Sequence, residues 1–119
     1  MLKTVPELVA EARAALRCVD ASTAMAEIAQ NQGTVVDVRE LVEVASLTTP
    51  RSVNIPRGIL EMKIVEVIPD DNHPIYVHCA SGGRATLAAQ QLIRMGYLRV
   101  TVVTCPAGTV KDAQEAVLT

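Results

Sequence analysis

The chain of 119 residues has no tryptophan and no phenylalanine, and its only aromatic residues are Tyr76 and Tyr97. Without stacking platforms, binding of single-stranded nucleic acid is not expected. A surplus of positive charge is missing too. Eleven Lys and Arg stand against thirteen Asp and Glu, a net charge of −2, so no basic stripe is available to neutralise phosphates. No apolar run approaches the length of a membrane span. Residues 1–6 lack a basic region followed by a long apolar stretch, so no signal peptide is expected. Cysteine is scarce and odd in number: Cys18, Cys79 and Cys105, none in a Cys-x-x-Cys pair. Free thiols in a reducing cytoplasm are the expectation. No His/Cys/Asp group has zinc spacing, so no metal is expected. Gly82-Gly83 fits neither the Rossmann nor the Walker pattern, so it is not a nucleotide loop.

What is present is globular composition, 50% hydrophobic and 20% charged, in a length that favours one domain with an aliphatic core. Thr4-Val5-Pro6-Glu7 resembles a capping box and predicts a first helix reaching to about residue 16. Ser22 or Thr23 is positioned to cap a second helix running to about Asn31, with Gly33 taking a positive φ at its end. Residues 34–38, 52–55, 74–78 and 99–104 read as strands, residues 41–47 as a short helix, and 110–118 as a closing helix. Residues 58–68 carry Leu60, Ile64 and Ile68 at helical spacing, which favours helix over a β-branched strand. Ala85, Ala88, Ala89, Leu92, Ile93 and Met95 mark one face of a helix stopped at Gly96. Strand–helix alternation implies an α/β fold with a mostly parallel sheet covered by helices on both faces.

The informative stretch is His78-Cys79-Ala80-Ser81-Gly82-Gly83-Arg84. It follows a buried strand and opens a helix, the place where open α/β sheets bind ligands. Gly82 and Gly83 permit φ values that other residues resist, and a tight turn there aims successive N–H groups inward as an anion nest. The helix N-terminus adds partial positive charge, and Arg84 adds a permanent cation with planar donors. A free thiol has a pKa of about 8.5, which helix N-termini and nearby cations lower, so Cys79 reads as a nucleophilic thiolate. Cys18, beside a short strand, and Cys105, before Pro106, have no such cradle.

This pattern resembles the active-site loop of the rhodanese-like sulfurtransferases. Three other segments carry the same resemblance in the same order. Val36-Asp37-Val38-Arg39-Glu40 is similar to the family's Asp-Val-Arg-Glu segment. Ser52-Val53-Asn54-Ile55-Pro56-Arg57-Gly58 is similar to its Ala-x-Asn-Ile-Pro segment. Arg94-Met95-Gly96-Tyr97 before a Val-rich strand is similar to its helix ending in Gly-Tyr. The resemblance covers about residues 18–117 and implies a rhodanese-like domain with a five-stranded sheet over 18–119, with 1–17 as an added helix. Two segments depart from the pattern. Ser46–Ser52 replaces the common Gly-His-Ile-Pro-Gly-Ala, and Cys105–Thr109 replaces a Gly-Gly-apolar segment and a nearby Trp. Both bear on the pocket rim rather than the nucleophile.

The implied activity is sulfur transfer. Cys79 would take a sulfane sulfur from a small anionic donor such as thiosulfate, hold it as a persulfide solvated by the N–H groups of residues 80–84, and pass it to a thiol or cyanide-like acceptor, a partner protein's thiol included. No cofactor is implied. Two other readings stay open: a non-enzymatic persulfide carrier or redox-sensing module, and a Cys-based phosphatase or arsenate reductase. Phosphatases of this shape carry a loop one residue longer between Cys and Arg, and the four residues between Cys79 and Arg84 suit a single sulfur better. Asp37 and Arg39 read as structural support, since structural ion pairs commonly imitate catalytic ones. Arg57 is read either as reaching the pocket mouth or as a solvated surface residue. His78, adjacent to Cys79 on a strand, points to the opposite face and reads as a packed histidine, and His73 as an exposed turn residue.

Overall fold

The computed structural model describes residues 1–117. In chain order the elements are α1 (Val5–Arg13), β1 (Arg17–Val19), α2 (Ala21–Asn31), β2 (Thr34–Asp37), α3 (Leu41–Ser46), β3 (Ser52–Asn54), α4 (Leu60–Val67), β4 (Ile75–His78), α5 (Gly83–Met95), β5 (Val100–Val103) and α6 (Ala107–Ala116). A 3₁₀ turn over Arg57–Ile59 leads into α4. The five strands form one sheet in the order β1-β5-β4-β2-β3. Every pairing is parallel rather than most of them, because each strand is followed by a helix that carries the chain back to the sheet's starting edge.

The strand residues divide between two cores by their period of two. Val36, Val77, Val100 and Val102 face α4 and α5, where they meet Leu60, Ile64, Ala85, Ala88, Ala89 and Leu92. Val35, Tyr76 and Val103 face the other way, onto Ala21, Ala24 and Met25 of α2 and Val110 of α6. The alanines of α5 are fully buried and let the helix lie close on the sheet. The two tyrosines are buried with their hydroxyls satisfied. Tyr97 donates to the Ile68 carbonyl at 2.5 Å, and Tyr76 donates to Glu27 at 2.7 Å while accepting from Asn31 at 2.9 Å.

The structure corrects several sequence expectations. The first helix stops at Arg13, and tighter bonds from Ala15 to Ala12 and from Leu16 to Arg13 turn the chain into β1. Cys18 lies within that strand. The cap of α2 is Asp20, whose carboxylate accepts from Thr23 N–H at 2.8 Å, because Ser22 and Thr23 already sit inside the helix. The left-handed residue after α2 is Gln32 (φ 57°) and not Gly33. Gly33 is needed small instead: a Cβ there would lie 2.9 Å from the Tyr76 ring and 3.0 Å from Pro74. The last helix begins at Ala107, ahead of the expected Val110, with Pro106 as its cap. Its expected end at Leu118 lies outside the described residues.

Candidate active site

The carboxyl ends of β4, β2 and β3 meet at one place, since Asp37 is in register with both His78 and Asn54. The chain leaves β4 at His78 and turns through residues 79–82 before α5 begins at Gly83. Cys79 is 1% exposed. Its Sγ accepts two backbone hydrogen bonds, from Gly82 N–H at 3.0 Å and from Ala85 N–H at 3.3 Å. The sulfur therefore sits against the first turn of α5, where backbone donors lack helical partners. Of the two loop glycines, only Gly82 has a positive φ, 99°. Gly83 is already helical, so the turn needs one glycine conformation rather than two. The loop is held from outside as well. The Thr86 hydroxyl donates to the Gly82 carbonyl at 2.7 Å, and Ala107 N–H donates to the Ala80 carbonyl at 3.2 Å, tying the loop to the start of α6. Ser81 is its exposed crest.

Arg84 extends from α5 to Glu43 of α3, with bidentate bonds of 2.6 and 2.7 Å. The pair is about one-third exposed. Hydrogen bonds from Arg84, followed by the Glu40 N–H, hold the Glu43 carboxyl down at about 2, and Glu43 in return raises Arg84 further above its ordinary value. The loop's cation is thus already matched by an anion. Glu43 was not anticipated from the sequence, although its spacing from Glu40 marks a helix start that it does serve: it accepts from Glu40 N–H at 3.0 Å.

At the same end of the sheet, in register with His78, lies a second, buried ion pair. Asp37 and Arg39 are 1% and 2% exposed. The Arg39 Nη2 donates to Asp37 at 2.7 Å and to the Leu47 carbonyl at 2.8 Å. Thr49 also donates to Asp37, at 3.2 Å, and Asn54 bridges the Asp37 and Arg39 carbonyls at 2.9 and 3.0 Å. Burial pushes the Asp37 carboxyl up, but the Arg39 bonds and the neighbouring His78 together outweigh this and leave it below its ordinary value. His78 is fully buried, with Nε2 within 3.2 Å of Ser52 Oγ and 3.4 Å of Thr49 Oγ1. Burial lowers its pKa in spite of Asp37 nearby, so it is a packed, neutral side chain. Arg57 bonds to Glu61 at 2.9 Å through its side chain and to the Val38 carbonyl through its backbone; neither bond reaches the loop. Cys105 accepts a bond from Ala21 N–H at 3.3 Å, and Cys18 is exposed at the sheet's edge. His73 is half-buried and within 2.8 Å of Thr34 Oγ1, rather than free in solvent. A groove of about 800 Å³ lined by Arg17, Glu27, Tyr76 and Arg99 lies at the opposite, amino-terminal ends of the strands, away from this chemistry. No group of three metal-binding side chains occurs among the described residues.

The chain, with its Cys79 loop between a central parallel strand and a helix, is matched by the model for the rhodanese-like domain over residues 20–105. The chain belongs to the rhodanese-like domain family. Among its relatives is the Bacillus subtilis (strain 168) protein named "Putative sulfur carrier protein YrkF", 35% identical over 66 residues. That match covers 56% of this chain and 35% of the relative, so the chain spans about a third of that relative's length. The polysulfide-sulfur transferase of Wolinella succinogenes superimposes with a TM-score of 0.69 at 23% identity, over 86% of this chain and 77% of that one. The Rhodopseudomonas palustris CGA009 protein RPA3614, of unknown function and named a "possible tyrosine phosphatase", superimposes with a TM-score of 0.82 at 24% identity, over 95% of this chain and 92% of the other. At these identities the two structures establish a shared fold. The chain is thus a rhodanese-like domain, similar over 66 residues to a protein named a putative sulfur carrier. No helix among the described residues is long and apolar enough to cross a membrane.

Proposed function

We propose that the domain transfers sulfane sulfur through a persulfide on Cys79. The observation that carries the reading is the Cys79 Sγ seated against Gly82 and Ala85 N–H at the start of α5. In the loading step the Cys79 thiolate attacks the outer sulfur of a donor such as thiosulfate. A sulfur–sulfur bond forms to Cys79, the donor's own sulfur–sulfur bond breaks, and its electron pair leaves with sulfite. In the unloading step an acceptor thiolate or cyanide attacks the outer sulfur of the persulfide, and the Cys79 thiolate is regenerated. Negative charge leaves the Cys79 sulfur in the loading step and returns to it in the unloading step, and the backbone donors already aimed at Sγ stabilise it there without reorganisation. Residues 80–84 together with Ala85 N–H form the cradle, Arg84 positions the loop against α3, and Asp37 and Arg39 brace the neighbouring strand end. No cofactor takes part. Three free thiols support work in a reducing compartment, the cytoplasm.

Incubation with thiosulfate should add the mass of one sulfur atom to the intact chain. Cys79→Ser should remove that gain while keeping the fold, and loading that maps to Cys18 or Cys105 would overturn the assignment. A second reading, delivery to one partner protein without turnover of small acceptors, is favoured by the similarity to a protein named as a sulfur carrier. Steady thiocyanate production from thiosulfate and cyanide supports the enzyme; loading without turnover supports the carrier. The phosphatase reading rests on fold likeness alone, and hydrolysis of a small aryl phosphate that disappears in Cys79→Ser would revive it.

A further inference from the structure

The helix α1 lies outside the residues matched by the family model, yet it reaches the loop. Its half-buried Arg13 donates from Nε to the Thr86 hydroxyl at 3.0 Å. That hydroxyl in turn donates to the Gly82 carbonyl at 2.7 Å. One buried threonine therefore ties the guanidinium to the residue that turns the loop. The Arg13 Nη2 lies so close to Gly82 that a Cβ there would come within 2.6 Å of it, and Gly82 N–H is one of the two donors to the Cys79 sulfur. The helix is seated by buried Ala12 and by Val9, whose Cγ2 lies 3.9 Å from the Cβ position of Gly83.

The contrast with Arg84 decides what Arg13 can do. Arg84 is matched by Glu43. The carboxylates of α1 are engaged elsewhere or turned outward: Glu11 pairs with Lys3, and Glu7 bonds to Thr4. Among the described residues no carboxylate pairs with Arg13. Its charge is thus uncompensated beside the loop, and two of its nitrogens remain to bind an oxyanion.

We propose that Arg13 determines specificity for anionic donors at Cys79, drawing in sulfur oxyanions such as thiosulfate in preference to neutral sulfur compounds. This rests on the reading of Cys79 as the sulfur-bearing thiol, and the test separates the two. On the full-length chain, rates of Cys79 alkylation by iodoacetate (anionic) and iodoacetamide (neutral) are measured by peptide mass, beside the rate of sulfur loading from thiosulfate. Arg13→Gln should lower the iodoacetate-to-iodoacetamide ratio about fivefold, as expected for losing a steering charge, and Arg13→Lys should restore most of it. Raising the ionic strength of the native chain should move its ratio the same way, with no substitution to disturb folding. A ratio unchanged in Arg13→Gln, or lost equally in Arg13→Lys, overturns the proposal. A native chain that loads no sulfur but keeps an Arg13-dependent ratio removes the sulfur-transfer reading and leaves Arg13's charge selection standing.

Discussion

Two arginine–carboxylate pairs stand within a few residues of each other and differ chiefly in burial. Asp37–Arg39 is almost wholly excluded from water, with side chains 1% and 3% exposed, whereas Glu43–Arg84 keeps about a third of its surface in solvent. Arg39 is saturated by Asp37 and the Leu47 carbonyl, which ties β2 to the end of α3. Arg84 places both its side-chain bonds on one partly exposed carboxylate. A charge buried with its partner cannot be released without a large desolvation cost, so it serves the scaffold. A half-exposed pair is worth little in stability and is cheap to rearrange, so its effect falls on the loop's electrostatics.

The largest expected effect tests the buried side. Asp37→Ala strands Arg39 in the interior and should cost about 3–5 kcal/mol in denaturant unfolding; a loss under about 1 kcal/mol would place this pair with the surface pairs. On the exposed side, Arg84→Ala should slow sulfur loading by thiosulfate about tenfold, because it leaves the Glu43 carboxylate uncompensated near the incoming anion. Arg84→Lys should recover part of this, since a point charge cannot span both carboxylate oxygens. In the Glu43→Gln background the Arg84→Ala penalty should shrink, and equal penalties in the two backgrounds would show that the two residues act independently.

Smaller still is the effect of Glu43→Gln by itself. Stability should change by less than about 1 kcal/mol, while loading by thiosulfate should rise about threefold as Arg84 gains an unmatched charge. The smallest effect is a dependence on pH. The Glu43 carboxyl is depressed from 4.5 to about 2 in the folded chain. A depressed carboxyl stabilises the fold above its unfolded value and loses that contribution as the pH falls through the folded one. The stability difference between the native chain and Glu43→Gln should therefore be constant above about pH 5 and shrink between 4.5 and about 2. A difference that stays flat down to about pH 2 would mean that the pair does not form in solution.

The features legible in the sequence are those that depend on neighbours along the chain. The short, continuously buried run of β4, the alanine face of α5 and the stop at Gly96 follow from backbone geometry over a few residues. The cradle around Cys79 closes within six residues, from the sulfur to Ala85 N–H, so one short motif contains it. Residues 60–67 are helical, as the spacing of Leu60, Ile64 and Ile68 predicts, because it puts all three into one core. Short-range rules failed where two signals competed. Gly33 looked like the left-handed residue, but its lack of a side chain was required by Tyr76 and Pro74, and Gln32 took the unfavourable conformation instead.

By itself the sequence determined the α/β alternation, the aliphatic core and the strand–loop–helix that presents Cys79, because each rests on local periodicity or on glycine's freedom at one turn. Tertiary structure alone decided the charges around that loop. Glu43 meets Arg84 across 41 residues and Arg13 meets Thr86 across 73. Such pairings follow from which helices the parallel sheet brings side by side, and no residue spacing encodes them. They decide which guanidinium is matched and which remains open to an anion, because a charge's effect depends on its distance in space and its exposure to water.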